Sequence, residues 1–200
     1  MKKAISHLKR SDPVLGAIIG RVGEYGIQFR EPDFETLVKS IVSQQLSGRV
    51  ANVIFGRLAD AVGGKMTPAS ILKLRPARMR KLGLSGSKTA YIRDLARHTR
   101  DGTVVFEELA GLPDEEVIAR LTKVKGIGVW TVHMFLMFAL RRHNVLPTGD
   151  LGIRNAIRKA YALEEMPQPK DVEALAAKWH PYCTVASWYL WRSLETEAEL

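Results

Sequence analysis

Cysteine is almost absent from this chain: Cys183 is the only one among 200 residues. A single thiol excludes an internal disulfide, a cysteine-ligated iron–sulfur cluster and a zinc site built from four cysteines. The five histidines also lack a metal-binding spacing such as His-x-x-x-His. We therefore expect no catalytic metal and no required cofactor.

Long hydrophobic runs are missing as well. The longest, Met134 to Leu140, is far shorter than the roughly 20 residues that span a bilayer. The basic start, Met1-Lys2-Lys3, continues into polar sequence and not into the apolar core of a secretory signal. These absences predict a cytoplasmic protein, nucleoid-associated in a bacterium, that has no membrane partner. We also expect a monomer.

Acidic residues are outnumbered by basic ones. The chain has 30 Lys and Arg against 21 Asp and Glu, a net charge of +9 and a pI of about 9.8. This balance suits a polyanionic partner such as DNA. The excess is densest in residues 71–100, where nine Lys and Arg face one acid, Asp94. About half of these cations would serve equally well on an ordinary solvated helix face.

Apolar residues recur at helical spacing, between residues that cap helices, and period-two alternation is weak throughout. The pattern predicts an all-α protein of about ten helices, of which Pro13–Gly20 is the first. Asp33, Ser47 and Ser87 are predicted helix caps. Val129–Leu140 is apolar nearly all round, which predicts the central buried helix.

Gly126-Ile127-Gly128 separates two predicted helices. Glycine permits a positive φ and lets the backbone approach a ligand. The N–H groups that begin the next helix form an anion site with the helix dipole behind them. A Gly-x-Gly pair is usually only a tight turn, but the helical context and the basic chain favour phosphate binding through Gly126, Gly128 and Val129. Ile127 is predicted to anchor the turn in the core.

Asp150 ends a Pro-Thr-Gly-Asp loop just before the predicted helix Leu151–Tyr161. This position suits an N-cap, and it also suits a fixed carboxylate that does chemistry. From the residues alone the cap is the commoner role, and both roles can coexist.

Five segments together resemble the helix–hairpin–helix (HhH-GPD) base-excision DNA glycosylases. The branch most similar to them is the alkylation-repair, 3-methyladenine DNA glycosylase II-like enzymes. The matches lie within residues 34–192, and the segments are LTKVKGIGVWT (121–131), PTGDLG (147–152), SIVSQQLS (40–47), LGLSGSK (82–88) and PYCTVASWYLW (181–191).

The resemblance implies a two-lobed helix–hairpin–helix glycosylase fold without an N-terminal β domain. Its expected lobes are residues 30–115 and residues 1–29 plus 116–200. It implies that Asp150 is the catalytic acid. The branch that also cleaves the DNA backbone has a Schiff-base lysine where this chain has Trp130, so a monofunctional enzyme is expected.

The resemblance also assigns the remaining site residues. The expected base pocket is aromatic, which suits an electron-poor flipped base; its members are Trp130, Met134, Tyr182 and Trp188. Met134 replaces a pocket tyrosine of bacterial relatives, and Cys183 replaces a common arginine. The three aromatic residues could equally be core residues.

Three further sets follow from the same resemblance. The expected DNA wedge is Gln44, Gln45 and Leu46, with Gln45 at the plug position and core packing as the alternative for Leu46. A second phosphate contact is expected at Gly86 and Lys88. A structural Na⁺ or K⁺ is expected at the main-chain carbonyls of Thr122, Val124 and Ile127.

The function implied is excision of alkylated purines, chiefly 3-methyladenine, from double-stranded DNA by hydrolysis of the N-glycosidic bond after base flipping. Two alternatives stay open. One is a glycosylase for deaminated or mismatched bases on the same fold, and the other is a non-catalytic binder of distorted DNA.

Overall fold

The computed structural model describes residues 1–198 of the chain. Within them the prediction of an all-α protein is confirmed, with thirteen α-helices and one 3₁₀ turn and no strand. The elements are α1 (Lys2–Ser11), α2 (Pro13–Val22), α3 (Phe34–Ser43), α4 (Gly48–Ala61), α5 (Pro68–Lys73), α6 (Pro76–Lys81), α7 (Gly86–Arg100), α8 (Phe106–Leu109), α9 (Asp114–Leu121), α10 (Val129–Phe138), α11 (Leu151–Ala160), α12 (Pro169–Ala176), the 3₁₀ turn Ala177–Trp179, and α13 (Cys183–Ala198).

Helix α1 precedes the segment predicted as the first helix. Its apolar residues Ala4 and Leu8 are buried four positions apart on one face, while lysine and arginine occupy the last turn. Cations at a helix C-terminus interact favourably with the dipole. Ile5 packs partly buried against the same core, so the apolar spacing of this helix was present in the sequence and the prediction missed it.

Two predicted caps are confirmed and one is wrong. The Asp33 side chain accepts from Thr36 N–H at 2.8 Å, and the Ser47 side chain caps α4. Helix α7 is capped by Ser85, whose hydroxyl accepts from Lys88 N–H at 3.1 Å. Ser87 lies inside that helix, because Ser85 is the residue with extended backbone ahead of it.

Contacts divide the chain into two compact units, which we call the terminal unit (1–29 and 136–200) and the middle unit (30–135). The second boundary lies after Phe135 and not at residue 115. Helix α9 joins the middle unit through the Arg120–Glu108 ion pair at 3.0 Å. The ring of Phe135 meets Phe106 edge-on at 6.2 Å, which holds most of α10 there too.

The terminal unit has a core in which the buried residues of α13 pack with those of α1, α2 and α11. Two fully buried aromatic side chains, Trp179 and Tyr189, are its largest members. Helix α2 begins in this core at Asp12, whose carboxylate is fully buried and accepts from Val14 and Leu15 N–H at 3.1 Å.

The middle unit has its own apolar interior. Helix α3 contributes Leu37, Val38 and Ile41, and α7 contributes Ile92 and Leu95, all fully buried. The hairpin, residues 122–128, lies in this unit between α9 and α10. No described helix has the length and apolar character needed to cross a membrane.

Candidate active site and nucleic-acid interface

Asp150 is the N-cap of α11 in the terminal unit. Its Oδ1 accepts from Ile153 N–H at 2.8 Å, so the capping role considered from the sequence is present. The same oxygen accepts from the indole Nε1–H of Trp191, also at 2.8 Å. Two donors on one oxygen fix the orientation of a carboxylate that is 9% exposed.

Trp191 was not among the predicted site residues. It lies in α13, 41 positions from Asp150, and its ring stacks on Phe138 at a centroid distance of 6.1 Å. A half-buried indole N–H usually has a hydrogen-bond partner. That rule says a partner exists for Trp191 but does not say which, so the sequence could not pair it with Asp150.

Gly152 makes room for this pair. A Cβ at this position would lie 3.1 Å from Asp150 Oδ1 and 3.1 Å from Trp191 Cδ1. Both distances are tighter than ordinary van der Waals contact, so a side chain here would push the carboxylate and the indole. The neighbouring Leu151 is 66% exposed, which leaves an apolar surface directly after the acid.

Two predicted pocket residues lie in the terminal unit. Trp188 is half-buried and meets Tyr25 and Tyr189 edge-on, with centroids 4.8 and 4.9 Å away. Tyr182 is half-buried and edge-on to His7 at 5.3 Å. Trp188 therefore packs against the core, the alternative that the sequence left open for each aromatic residue.

Cys183 is fully buried at the start of α13. Burial raises the pKa of its thiol to about 12. The thiolate is therefore scarce near neutral pH, and this side chain is a small packing group and not a nucleophile.

The hairpin has the geometry that its two glycines predicted. Gly126 has φ +81°, and a Cβ there would lie 2.1 Å from the ring of Tyr91, so glycine is required twice over. Gly128 is exposed, and a Cβ there would meet nothing within 4 Å, which leaves its backbone open to a ligand. Ile127 is 4% exposed, as expected of the anchor.

Helix α10 is not buried along its whole length, which corrects the prediction. Val129 and Trp130 at its start are 49% and 51% exposed, whereas Val132 and Phe135 are buried. Met134 is half-buried. The exposed first turn of α10 directly follows Gly128 of the hairpin, which is exposed as well.

The predicted wedge, residues 44–46, connects α3 to α4. Gln45 has φ +56°, uncommon for a residue with a side chain, and it is exposed. Leu46 is 38% exposed, so it is not the core residue considered as its alternative. Residues held in such backbone conformations cluster at ligand-binding segments.

Gln44 differs from its two neighbours. Its amide Nε2 donates to the carbonyl oxygen of Gly126 at 2.8 Å. The wedge and the hairpin are thereby joined.

Lys88 contacts the last turn of α3, just before the wedge. Its Nζ donates to Val42 O, near the end of α3, at 2.7 Å. Burial lowers the pKa of this ammonium group. An ammonium group has three donors, so this contact does not by itself exclude the predicted phosphate contact. Gly86 is the first residue of α7 and is exposed.

The predicted cation ligands lie at the end of α9 and in the hairpin. Thr122 is the C-cap of α9, and the Val124 carbonyl accepts from Ile127 N–H at 3.1 Å. Carbonyls past a helix end lack intrahelical donors, and a carbonyl oxygen has two lone pairs. A monovalent cation at these three carbonyls stays a prediction. Among residues 1–198, no three His, Cys, Asp or Glu side chains are grouped to hold a metal ion.

Comparison with known proteins places these features in a family context. The model of the HhH-GPD superfamily base excision DNA repair proteins matches residues 38–181. DNA-3-methyladenine glycosylase 1 of Schizosaccharomyces pombe is 36% identical over 200 residues, which cover 96% of this chain and 87% of that protein.

Two solved structures are similar over nearly the whole chain. The DNA-3-methyladenine glycosidase of Bacillus halodurans has a TM-score of 0.89 and 37% identity, covering 98% of this chain and 91% of that one. Mag1 of S. pombe, in complex with abasic DNA, has a TM-score of 0.84 and 37% identity, covering 94% and 95%.

Proposed function

The chain belongs to the HhH-GPD superfamily of base excision DNA repair proteins, and we propose that it is a monofunctional DNA glycosylase for alkylated purines, chiefly 3-methyladenine. The observation that carries this proposal is the Asp150 carboxylate, fixed by Ile153 N–H and Trp191 Nε1–H. Two similar proteins, one from S. pombe and one from B. halodurans, are named as a DNA-3-methyladenine glycosylase and a DNA-3-methyladenine glycosidase, which supports the lesion class.

The reaction hydrolyses the bond between the sugar C1′ and the base nitrogen. As that bond breaks, its electron pair leaves with the base and positive charge builds on the sugar. The Asp150 carboxylate stabilises this charge and orients the water, whose oxygen bonds to C1′ while its proton is released. A 3-methylated adenine is already cationic, so it leaves as a neutral base without a general acid.

Hydrolysis without backbone cleavage follows from Trp130. A lyase step needs an amine that attacks C1′ and forms a Schiff base. The indole of Trp130 has no such amine, so the product is an abasic site. A borohydride-trapped covalent complex between protein and DNA would contradict this part of the proposal.

The duplex is bound through the middle unit. Gly126, Gly128 and Val129 donate backbone N–H groups to a phosphate, with Gly86 and Lys88 as a second contact. Gln45 and Leu46 fill the gap that the flipped base leaves, because they are the exposed members of the wedge. Gln44 positions this loop through its contact with the Gly126 carbonyl.

The flipped base is recognised by aromatic faces. An electron-poor ring is attracted to indole and phenol surfaces. Trp130 is half exposed and has the surface to stack, whereas Trp188 is engaged with Tyr25 and Tyr189. We propose that Trp130 stacks on the flipped base; Met134, Tyr182 and Trp188 stay predictions that follow from the family resemblance.

Three further features are proposed on the same basis. A Na⁺ or K⁺ ion would be held by the carbonyls of Thr122, Val124 and Ile127, where it would steady the hairpin. The protein would act as a monomer, and it would act in the cytoplasm, on the nucleoid if its host is a bacterium.

The proposal is tested by base release. The wild-type protein is incubated with duplexes that contain 3-methyladenine, 7-methylguanine, ethenoadenine, hypoxanthine or uracil, and abasic sites are scored. Release of the alkylated purines is expected. Release of uracil or hypoxanthine alone would indicate a glycosylase for deaminated bases. Binding without any release would indicate a non-catalytic binder of distorted DNA.

A further inference from the structure

The middle unit has a second basic feature beside the hairpin. A cavity of about 270 Å³ lies between α6, α7 and the hairpin. That volume is below the range of pockets for drug-sized ligands and suits a small group. Its walls include Arg80, Gly86, Arg93, Asp94, Arg97 and Lys125.

Cations dominate these walls. Four of the lining residues are basic and one is acidic, so the cavity has a formal charge of +3. Three of the cations, Arg80, Arg93 and Arg97, come from the basic stretch 71–100 whose purpose the sequence left open. Converging cations raise the local concentration of anions.

The one acid in the cavity is already engaged. Asp94 accepts from the backbone N–H of Lys125 at 2.9 Å, and Arg97 lies 3.7 Å from its other oxygen. These contacts turn the carboxylate towards the hairpin. Asp94 thus joins α7 to the residue just before Gly126, which places the cavity directly against the phosphate-binding turn.

Arg93 lines the cavity, but its guanidinium group is already hydrogen-bonded to the main chain. Its Nη1 donates to the carbonyls of Leu74 at 2.6 Å and Leu72 at 3.3 Å, at the end of α5. This leaves Arg80, Arg97 and Lys125 as the cations best able to meet a ligand. Arg80 and Lys125 are exposed, and the Arg97 side chain is 51% exposed.

We propose that this cavity binds one phosphodiester group of the DNA that the hairpin holds, through Arg80, Arg97 and Lys125. The inference rests on the proposed binding of double-stranded DNA. A phosphate fits because guanidinium groups bind its oxygens in a fork geometry. Phosphates follow each other about every 3.4 Å of helix axis along a strand, so a strand on the hairpin brings further phosphates to the adjacent cavity.

The test is the salt dependence of binding to an undamaged duplex, measured by fluorescence anisotropy. The logarithm of the affinity falls with the logarithm of salt concentration with a slope of about −0.9 per phosphate neutralised. We expect Arg80→Gln and Arg97→Gln each to reduce the slope by up to about 0.9 and to weaken binding about fivefold at 0.15 M salt. Arg78→Gln is the matched control, because Arg78 is exposed on the same helix as Arg80 and does not line the cavity.

Melting temperatures equal to that of the wild type confirm that the variants are folded. If both cavity variants have the same slope and affinity as Arg78→Gln, the proposal is overturned. If they keep the DNA slope but lose a thermal stabilisation that inorganic phosphate gives the wild type, the cavity binds free phosphate and the proposal is equally overturned.

Base release separates this inference from the proposed function. The control Arg78→Gln is expected to release base from 3-methyladenine duplex like the wild type, whereas the cavity variants are expected to need about fivefold more duplex for half-maximal release at 0.15 M salt. A wild-type protein that releases no base but shows the predicted slope changes would overturn the glycosylase proposal and keep the cavity. If the wild type releases base but the cavity variants have unchanged salt slopes, the cavity proposal is overturned and the glycosylase proposal is kept.

Discussion

Asp12 and Asp150 are two buried carboxylates of the terminal unit that share a hydrogen-bonding pattern but have different surroundings. Each caps a helix, and each accepts a hydrogen bond from an indole N–H, that of Trp179 at 2.7 Å and that of Trp191 at 2.8 Å. Asp12 is fully buried, whereas Asp150 is 9% exposed and is followed by the exposed Leu151.

The carboxylate of Asp12 has two further side-chain partners. Its Oδ2 accepts from the hydroxyl of Tyr161 and lies 3.3 Å from Lys178 Nζ. Burial alone would raise the pKa of Asp12, but the hydrogen bonds from Tyr161, Trp179 and Leu15 N–H hold it below its ordinary value. A capping carboxylate with an indole partner can therefore be purely structural, as at Asp12. Asp150, the proposed catalytic acid, differs from it in being 9% exposed.

Removing the structural carboxylate is expected to have the largest effect on stability. Asp12→Ala deletes the cap, which costs about 1 kcal/mol. It also leaves the buried donor of Trp179 unsatisfied at about 1–3 kcal/mol and the half-buried donor of Tyr161 at about 1 kcal/mol. We expect the free energy of unfolding, measured by urea denaturation, to fall by about 3–5 kcal/mol.

The control for this variant is Asp33→Ala, which removes an exposed cap and should cost only about 1 kcal/mol. Base release per folded Asp12→Ala molecule should equal that of the wild type. Equal losses of stability in the two variants would show that the partners of Asp12 contribute nothing beyond capping.

Replacing Trp191 or Trp179 by phenylalanine is expected to affect two different properties, the rate of base release and the stability of the fold. Trp191→Phe keeps the ring that stacks on Phe138 but removes the donor to Asp150, so we expect base release to slow about tenfold, the loss of roughly one hydrogen bond to a charged group. Trp179→Phe removes the donor to Asp12 and should lower the melting temperature while leaving the rate unchanged. Single-turnover kinetics and thermal melts of both variants check this, and a slower rate in Trp179→Phe alone would reverse the assignment.

Acid titration is expected to give the smallest difference. Because the folded-state pKa of Asp12 is below its ordinary value of 3.8, its charge stabilises the fold above that pH, and this contribution is lost as pH falls further. The difference in unfolding free energy between wild type and Asp12→Asn should therefore stay constant from about pH 8 to about pH 5 and shrink below about pH 4. A difference that already shrinks near pH 6 would contradict the assigned partners.

Features that depend on neighbouring residues were predictable from the sequence. The caps at Asp33 and Ser47, the turn at Gly126 and the buried anchor Ile127 all follow from local backbone chemistry. The cap of α7 is Ser85 and not the predicted Ser87. Both residues have the side chain that a cap needs, so the sequence does not distinguish the two positions.

Contacts between distant segments were not predictable. Trp191 meets Asp150 from another helix, Gln44 meets Gly126 across 82 positions, and Asp12 draws Trp179 from 167 positions away. No local pattern encodes such pairings, since they depend on how helices pack. The packing of Trp188 against Tyr25 and Tyr189 is of the same kind, because composition does not say which aromatic rings meet.

The most direct test of the account is a pair of asparagine substitutions, since asparagine caps a helix as well as aspartate does but has no charge. For Asp150→Asn we predict a rate of 3-methyladenine release about 10²–10³ lower, the loss typical of one charge-stabilising group, with melting temperature and DNA affinity close to wild type. For Asp12→Asn we predict a lower melting temperature and an unchanged rate. If Asp150→Asn releases base at the wild-type rate, the carboxylate is only a cap and the central claim is wrong.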